Sequence, residues 1–209
     1  ALDPGRSTMD ISDRDATTGA ILSDYPNGKE VTDVWDVANR VKVKLEQEGY
    51  TVKMLRNSID EKVNFQQRAD RAKGSVLAVS IHTTQTGGSQ VGAQTVGGYR
   101  SANGKTLTFQ NSATADTSQK YAQAMAKGRN EKEGGGVRVD GFNFDGRGGD
   151  IASGNMPWVQ LLSQDTPWIY NEMQPSDGGG GSFGISEASK AKYVDGIVAG
   201  IDAAGIPKT

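Results

Sequence analysis

The stretch SVLAVSIH, residues 75–82, is an almost continuous apolar run with the length of a β-strand. Such a run is typical of a central strand in a sheet that helices cover on both faces. Amphipathic helices are predicted before it, at residues 30–49 and 60–74. Helices that alternate with buried strands predict βαβ units. We therefore expect an α/β fold with a twisted, mostly parallel central sheet flanked by helices, in a single domain over residues 1–209.

The rest of the chain extends this pattern. Strands are predicted at the amino terminus, where Ala1-Leu2 runs into the turn Asp3-Pro4-Gly5, and at residues 50–56, 91–100, 105–110 and 166–173. Helices are predicted at residues 114–130 and 186–205. The glycine-dense segment 133–155 is expected to be a surface loop, and PSDGGGGS at 175–182 a flexible turn.

Composition excludes several classes of protein. The net charge of −2 over 209 residues gives no basic surface for nucleic acid or for an anionic membrane. The absence of cysteine excludes disulfides and thiolate metal sites. No apolar run approaches the ~18 residues of a membrane span. Because the chain begins inside a predicted strand, we expect an upstream segment that carries the export signal.

Four polar residues are predicted at one edge of the sheet. Arg6 follows the first strand, His82 ends the central strand, and Glu172 lies at the end of the strand at 166–173. Glu30 begins the first long helix. In an open α/β sheet the carboxyl ends of the strands form the edge where ligands bind. We therefore expect all four to converge, with His82 and Glu172 within roughly 12 Å of each other.

Two of these residues also have a structural explanation. His82, the one histidine of the chain, could be a core residue, and Glu30 could be a favourable charge in a helix first turn. Glu172 follows apolar residues, where a carboxylate is costly unless it is paired or functional. If one more ligand exists, His82 and Glu30 could bind a metal and Glu172 could act as a general base in hydrolysis. An unrelated serine hydrolase or nucleotide-binding fold lacks support, because neither G-x-S-x-G nor a phosphate-binding glycine motif is present.

The order of several motifs resembles the zinc-dependent N-acetylmuramoyl-L-alanine amidases of the amidase-3 type. These motifs are LDPG (2–5), KE (29–30), GYTVKMLR (49–56), FQQRADRAK (65–73), VSIHT (79–83) and IYNEM (169–173). The resemblance implies a twisted, mostly parallel sheet and a peptidoglycan substrate. It also implies a zinc ion that activates water to cleave the amide between N-acetylmuramic acid and L-alanine.

The resemblance also assigns roles to residues. It places Glu30 and His82 at the second and third zinc-ligand positions and Glu172 at the position of the catalytic glutamate. The first ligand, a histidine in the family, is replaced by Arg6. A guanidinium stays protonated and has no lone pair to give to a metal. Its charge would repel zinc by roughly 8 kcal/mol at ~4 Å and an effective dielectric of ~20.

Two hypotheses follow from this substitution. In the first, the protein is a peptidoglycan amidase in which Arg6 is tolerated, is compensated by another ligand, or was introduced into an active parent. Asp10, Asp13 and Asp15 are the candidate ligands unless they form only a solvated turn. In the second, it is a metal-free pseudo-amidase that binds peptidoglycan or regulates cell-wall hydrolysis without cutting. The second predicts that Arg6 turns inward and pairs with Glu30 or Glu172, taking the place of the metal charge.

The resemblance further implies an extracytoplasmic protein, either secreted, periplasmic or associated with the cell wall. We expect a monomer whose partner is peptidoglycan, with no nucleic acid and no membrane insertion. The charge balance argues against a basic anchor, so recognition should rest on hydrogen bonds and aromatic contacts. The loop at 133–155 and the aromatic residues Trp158 and Trp168 are candidates for this role, although Trp168 also fits the core.

Overall fold

The structure is a computed structural model that describes residues 1–6, 26–97, 99–102, 105–139 and 156–209. The strands are β1 (Leu2–Pro4), β2 (Ala78–Thr83), β3 (Gln90–Ala93), β4 (Tyr99–Ala102), β5 (Lys105–Thr108), β6 (Arg138–Val139) and β7 (Trp168–Met173). The helices are α1 (Glu30–Gln47), α2 (Phe65–Ala72), α3 (Ser112–Glu133), α4 (Trp158–Leu162) and α5 (Glu187–Ala203), with a 3₁₀ turn at Gly181–Phe183.

The central sheet has five strands in the order β1-β2-β7-β3-β6. The first three strands are parallel, β3 is antiparallel to β7, and β6 is parallel to β3. Strands β4 and β5 form a separate antiparallel pair. Three of the four pairings in the central sheet are parallel, which confirms the expected α/β fold with a mostly parallel sheet.

Strand β2 is buried along its whole length because helices cover both faces of the sheet. On one face, α1, α3 and α5 pack against the sheet and form the main core, which includes Val34, Val41, Ile81, Met125 and Ile197. On the other face, α2 and α4 close over a smaller cluster of Leu55, Ala72, Ala78, Val159 and Trp168. The continuous apolar sequence of β2 therefore reflects two cores rather than one.

Several sequence predictions differ from the structure. The predicted strand at 91–100 is replaced by β3 and β4, which belong to different sheets. Residues 50–56 run beside β1 but make an isolated bridge at Met54 instead of a strand, held by backbone bonds from Leu2 N to Lys53 O and from Leu55 N to Leu2 O. Helix α2 begins at Phe65 and not near residue 60, because Asn64 caps it and exchanges side-chain bonds with Gln67.

The glycine-dense segment is only partly described. Helix α3 continues to Glu133, and β6 pairs with β3 at the sheet edge. The remainder of the predicted loop, from 140 to 155, lies outside the described residues. In the part of the chain that is described, no helix is long and apolar enough to cross a lipid bilayer.

Candidate functional site

The four residues predicted at the sheet edge meet there. Strands β2 and β7 are parallel neighbours, and His82 pairs in register with Glu172, so their Cα atoms are separated by about one strand spacing, ~4.8 Å. Helix α1 begins at Glu30, whose carboxylate contacts both Arg6 and His82. The predicted convergence, and the predicted proximity of His82 to Glu172, agree with this geometry.

Glu30 is fully buried and accepts four hydrogen bonds. Its Oε2 accepts from Arg6 Nε at 2.8 Å and from Asn27 Nδ2 at 2.7 Å. Its Oε1 accepts from the backbone N of Thr83 at 3.1 Å and lies 3.2 Å from His82 Nδ1. Burial alone would raise the pKa of Glu30, but the hydrogen bond and charge of His82 and the charge of Arg6 lower it to about 2.

His82 is fixed by its surroundings. Its ring stacks on Tyr170, with centroids 4.5 Å apart and an interplanar angle of 15°. On another side it lies against the backbone of Gly5, where an added Cβ would be 2.1 Å from His82 Nε2. Because an ionised carboxylate only accepts hydrogen bonds, the contact with Glu30 Oε1 requires a proton on His82 Nδ1.

Arg6 lies in an unusual backbone conformation. Among the described residues, Arg6 is the one non-glycine residue with a positive φ, at +57°. This left-handed conformation costs about 1–2 kcal/mol. The preceding turn is held by Arg56, a buried side chain whose Nη2 donates to Pro4 O at 2.9 Å and Gly5 O at 3.2 Å. The Arg6 side chain is 12% exposed and reaches Glu30.

Glu172 has the electrostatic character of a proton acceptor near neutral pH. The residue is half-buried, but its Oε2 is shielded from solvent and makes no hydrogen bond within the described part of the protein. Burial is the main cause that raises the pKa of Glu172, to about 7. The charge of His82 lowers this pKa, the charge of Glu30 raises it, and the charge of Arg6 lowers it.

Two buried side chains support the site from beneath, and sequence reasoning missed both. Arg129 of α3 donates from Nη2 to Glu172 O at 2.9 Å and from Nη1 to Asn171 Oδ1 at 3.1 Å. Tyr193 of α5 donates from its hydroxyl to His82 O at 2.9 Å, and the Arg129 guanidinium lies 4.7 Å from its ring centroid. Their spacing with apolar residues on these helices is consistent with burial, but it gives no sign of their contacts with β7 and β2.

Asn27 and Arg56 were also missed. Asn27 lies three residues before Glu30, in the position of a helix-start residue, and the backbone N of Glu30 donates to its carbonyl at 3.0 Å. Arg56 ended a predicted strand and carried no motif of its own. Its burial depends on a contact with the turn after β1, which lies 52 residues away from it along the chain.

The two tryptophans proposed for recognition lie in different places. Trp168 is fully buried, and its Nε1 donates to Ser80 Oγ at 3.0 Å, so it belongs to the core and not to a ligand surface. Trp158 is partly buried and packs against a cluster formed by Phe109, Ala115, Met156 and Leu161. Only the core alternative considered for Trp168 agrees with the structure.

The described residues do not fit the zinc ion that the resemblance implies. Both Glu30 oxygens are already hydrogen-bonded, and the position of the first ligand holds the Arg6 guanidinium, which cannot coordinate a cation. Among the residues that the structure describes, no three His, Cys, Asp or Glu side chains form a group that could hold a metal. Asp10, Asp13 and Asp15, the candidate substitutes, lie outside the described residues.

Comparisons with known proteins agree with this architecture. The amidase-3 family model, described as N-acetylmuramoyl-L-alanine amidase, matches residues 1–144. A sequence search of curated proteins finds no match. The apo N-acetylmuramyl-L-alanine amidase Ami1 of Mycobacterium abscessus aligns with a TM-score of 0.67 and 17% identity, over 98% of this chain and 97% of that one.

Two further solved structures share the fold. Ami1 of Mycobacterium smegmatis, also an N-acetylmuramyl-L-alanine amidase, aligns with a TM-score of 0.66 and 19% identity, over 98% of this chain and 95% of that one. The catalytic domain of the amidase CwlV from Bacillus (Paenibacillus) polymyxa aligns with a TM-score of 0.51 and 19% identity, over 96% and 93%. At such identities the likeness establishes the fold.

Proposed function

Because this chain belongs to the N-acetylmuramoyl-L-alanine amidase family, we propose that it binds peptidoglycan at the carboxyl edge of its sheet and holds it without cutting it. The observation that carries this proposal is the ion pair between Arg6 Nε and the fully buried Glu30 carboxylate, at 2.8 Å. It places a fixed positive charge where the resemblance puts a zinc ligand.

Arg6 adds a positive charge that does not titrate beside Glu30 and Glu172. Two carboxylates close together raise each other's pKa unless a cation lies nearby. Arg6 is such a cation, since it lowers the pKa of both glutamates. A divalent ion at the same place would lie against a guanidinium and would be repelled by several kcal/mol. The Arg6 charge therefore supports a binding site that works without a metal.

The proposed place of action is outside the cytoplasm, where peptidoglycan lies. One copy of the chain supplies every residue in the proposal, so the protein would act as a monomer. Recognition would use the hydrogen-bonding groups around the sheet edge rather than a basic surface, in keeping with a net charge of −2.

The test combines metal analysis, sedimentation with purified peptidoglycan and an assay for released stem peptide. We expect the protein to sediment with peptidoglycan, to contain far less than one zinc per chain and to release no peptide. Arg6→His should bind zinc and gain hydrolysis. Arg40→His is the matched control, because Arg40 is a surface residue paired with Asp36 and Glu187. Stoichiometric zinc with peptide release by the unchanged protein would overturn the proposal.

The second candidate is hydrolysis of the amide between N-acetylmuramic acid and L-alanine, as the resemblance implies. The observation that favours it is Glu172, whose pKa burial raises to about 7, a value suited to a general base at neutral pH. This candidate needs a set of metal ligands beyond the described residues. Peptide release that is abolished by Glu172→Gln and by a chelator would establish it.

A further inference from the structure

A single aromatic ring is exposed beside the site. Phe183 ends the 3₁₀ turn Gly181–Phe183, and it is 74% exposed, more than any other large hydrophobic residue in the described ranges. The other large exposed hydrophobics in those ranges are the valines Val43, Val76, Val96 and Val139. An isolated exposed side chain needs no explanation by itself. Whether Phe183 has a function therefore depends on how firmly the structure holds it in place.

The turn that carries Phe183 is bound to the framework on both sides. Gly181 N donates to the buried Thr83 Oγ1 at 2.9 Å, and Lys29 N donates to Ser182 O at 3.2 Å. Gln85 Nε2 also donates to Ser182 Oγ at 2.6 Å. The sequence predicts a flexible turn here, but its backbone is hydrogen-bonded to residues at the end of β2 and the start of α1.

Close packing explains the glycines of this turn. Gly180 has a φ of +89°, and an added Cβ would lie 2.2 Å from Thr84 O. Gly184 has a φ of +82°, and an added Cβ would lie 2.9 Å from Lys29 Cδ. Side chains at these positions would push the turn off the framework. The glycines therefore fix the position of Phe183 instead of loosening it.

Phe183 is thereby placed at the rim of the candidate site. Thr83 directly follows His82, and its backbone N donates to Glu30 Oε1 at 3.1 Å. Lys29 directly precedes Glu30 in the chain. The turn is thus bonded to Thr83 and Lys29, which adjoin His82 and Glu30 in the chain. A polymer bound at the sheet edge would therefore pass close to the ring.

The chemistry around the ring favours a neutral, ring-shaped ligand. A lone Phe is too small for a protein partner, since stable protein interfaces bury about 800 Å² per side. Thr83 and Gln85, whose side chains are hydrogen-bonded to the turn, offer hydroxyl and amide groups, and the exposed Lys29 lies beside Gly184. An aromatic face with such neighbours suits the C–H face of a sugar ring with its hydroxyl and acetamido groups at the edge.

We propose that Phe183 is a stacking platform for an N-acetylated sugar ring of the glycan strand. The inference rests on the proposed peptidoglycan-binding function and assigns the glycan, rather than the peptide stem, to this part of the rim. Phe183 thereby determines which part of the polymer faces the turn, while Glu30, His82 and Glu172 lie further along the same edge.

The experiment is calorimetric titration of the whole chain with a neutral oligomer of N-acetylglucosamine, in parallel with sedimentation on intact peptidoglycan. We expect Phe183→Ala to weaken binding of the oligomer about tenfold, equivalent to ~1.4 kcal/mol. Phe183→Trp, which keeps an aromatic face, should stay within about threefold of the unchanged protein. Because Phe183 is exposed, all variants should keep their melting temperature.

Two controls separate the outcomes. Val96→Ala removes a similarly exposed apolar side chain beyond the far end of β3, and it should change nothing. Lys44→Ala removes an exposed charge of α1 that pairs with Asp195, and it should not affect binding of a neutral oligomer. Equal affinity of Phe183→Ala and the unchanged protein would overturn the inference. So would an unchanged protein that sediments with peptidoglycan but ignores the oligomer, and that result would leave the proposed function standing. Failure to sediment with peptidoglycan at all would overturn both.

Discussion

The ion pair between Arg6 and Glu30 can be removed by substituting Arg6 alone. Removing one partner of a buried ion pair leaves the other charge unpaired, at a cost of about 3–5 kcal/mol. Glu30 is fully buried, so Arg6→Ala should lower the melting temperature by roughly 10 °C at neutral pH. Scanning calorimetry measures this. Arg40→Ala, at the surface, should change it little, and equal shifts for the two variants would contradict the buried pair.

Glu172 should make the folded state sensitive to pH. Burial raises the pKa of Glu172 from 4.5 to about 7, so between these values the folded state binds more protons than the unfolded state. Its stabilising contribution is complete below pH 4.5 and is lost as pH rises through 7, a difference of about 3 kcal/mol. Glu172→Gln should therefore be more stable than the unchanged protein at pH 8 and nearly equal to it at pH 5.

Denaturant unfolding at both pH values checks the Glu172 prediction. Glu131→Gln is the matched control, because Glu131 is an exposed residue on α3. It should leave the pH profile of the free energy of unfolding unchanged. A profile for Glu172→Gln that stays parallel to that of the unchanged protein from pH 5 to pH 8 would show that Glu172 does not titrate in this range.

At the scale of elements, α3 is bonded to the end of β7 by Arg129. Its guanidinium also bonds Glu133, with 2.6 Å between Arg129 Nε and Glu133 Oε1, and both side chains are almost completely buried. Arg129→Met should therefore cost about 3–5 kcal/mol, because it leaves Glu133 charged and the carbonyl of Glu172 without its donor.

A double substitution separates charge from packing at Arg129. Adding Glu133→Gln to Arg129→Met removes the orphaned charge, so the pair should recover part of the lost free energy of unfolding. Urea titration of the four proteins in this cycle gives the coupling energy. Strict additivity would mean that the buried Arg129–Glu133 contact contributes no coupling of its own.

The whole molecule carries a net charge of −2, so its attachment to peptidoglycan should depend weakly on salt. Binding through a basic surface would weaken steeply as the Debye length shortens from about 10 Å at 0.1 M to about 3 Å at 1 M. We expect sedimentation with peptidoglycan to change by less than about threefold between these salt concentrations. A tenfold loss would indicate that charged groups dominate the attachment.

The sequence predicted the fold well because the segment that ends in His82 is an almost continuous apolar run and Glu172 follows the apolar residues Trp168, Ile169 and Tyr170. Local sequence patterns indicate burial and periodicity, and these are sufficient to predict the parallel sheet. They could not report Arg129, Tyr193 or Arg56, whose importance comes from contacts between segments distant in the chain. For the same reason, the glycines before Phe183 predicted a loose turn, although tight packing requires them.

Arg6 also bears on how relatives of this chain would be sorted. It lies in the turn after β1, outside the three hydrophobic clusters, so a histidine or an arginine at this position leaves the packing of the core unchanged. The match to the family model ends at residue 144, before Glu172. Under the proposed function, overall likeness would group cutting and non-cutting proteins together. A classification based on position 6 together with the glutamate of β7 would separate the two groups. A single substitution at position 6 would then move a protein from one group to the other.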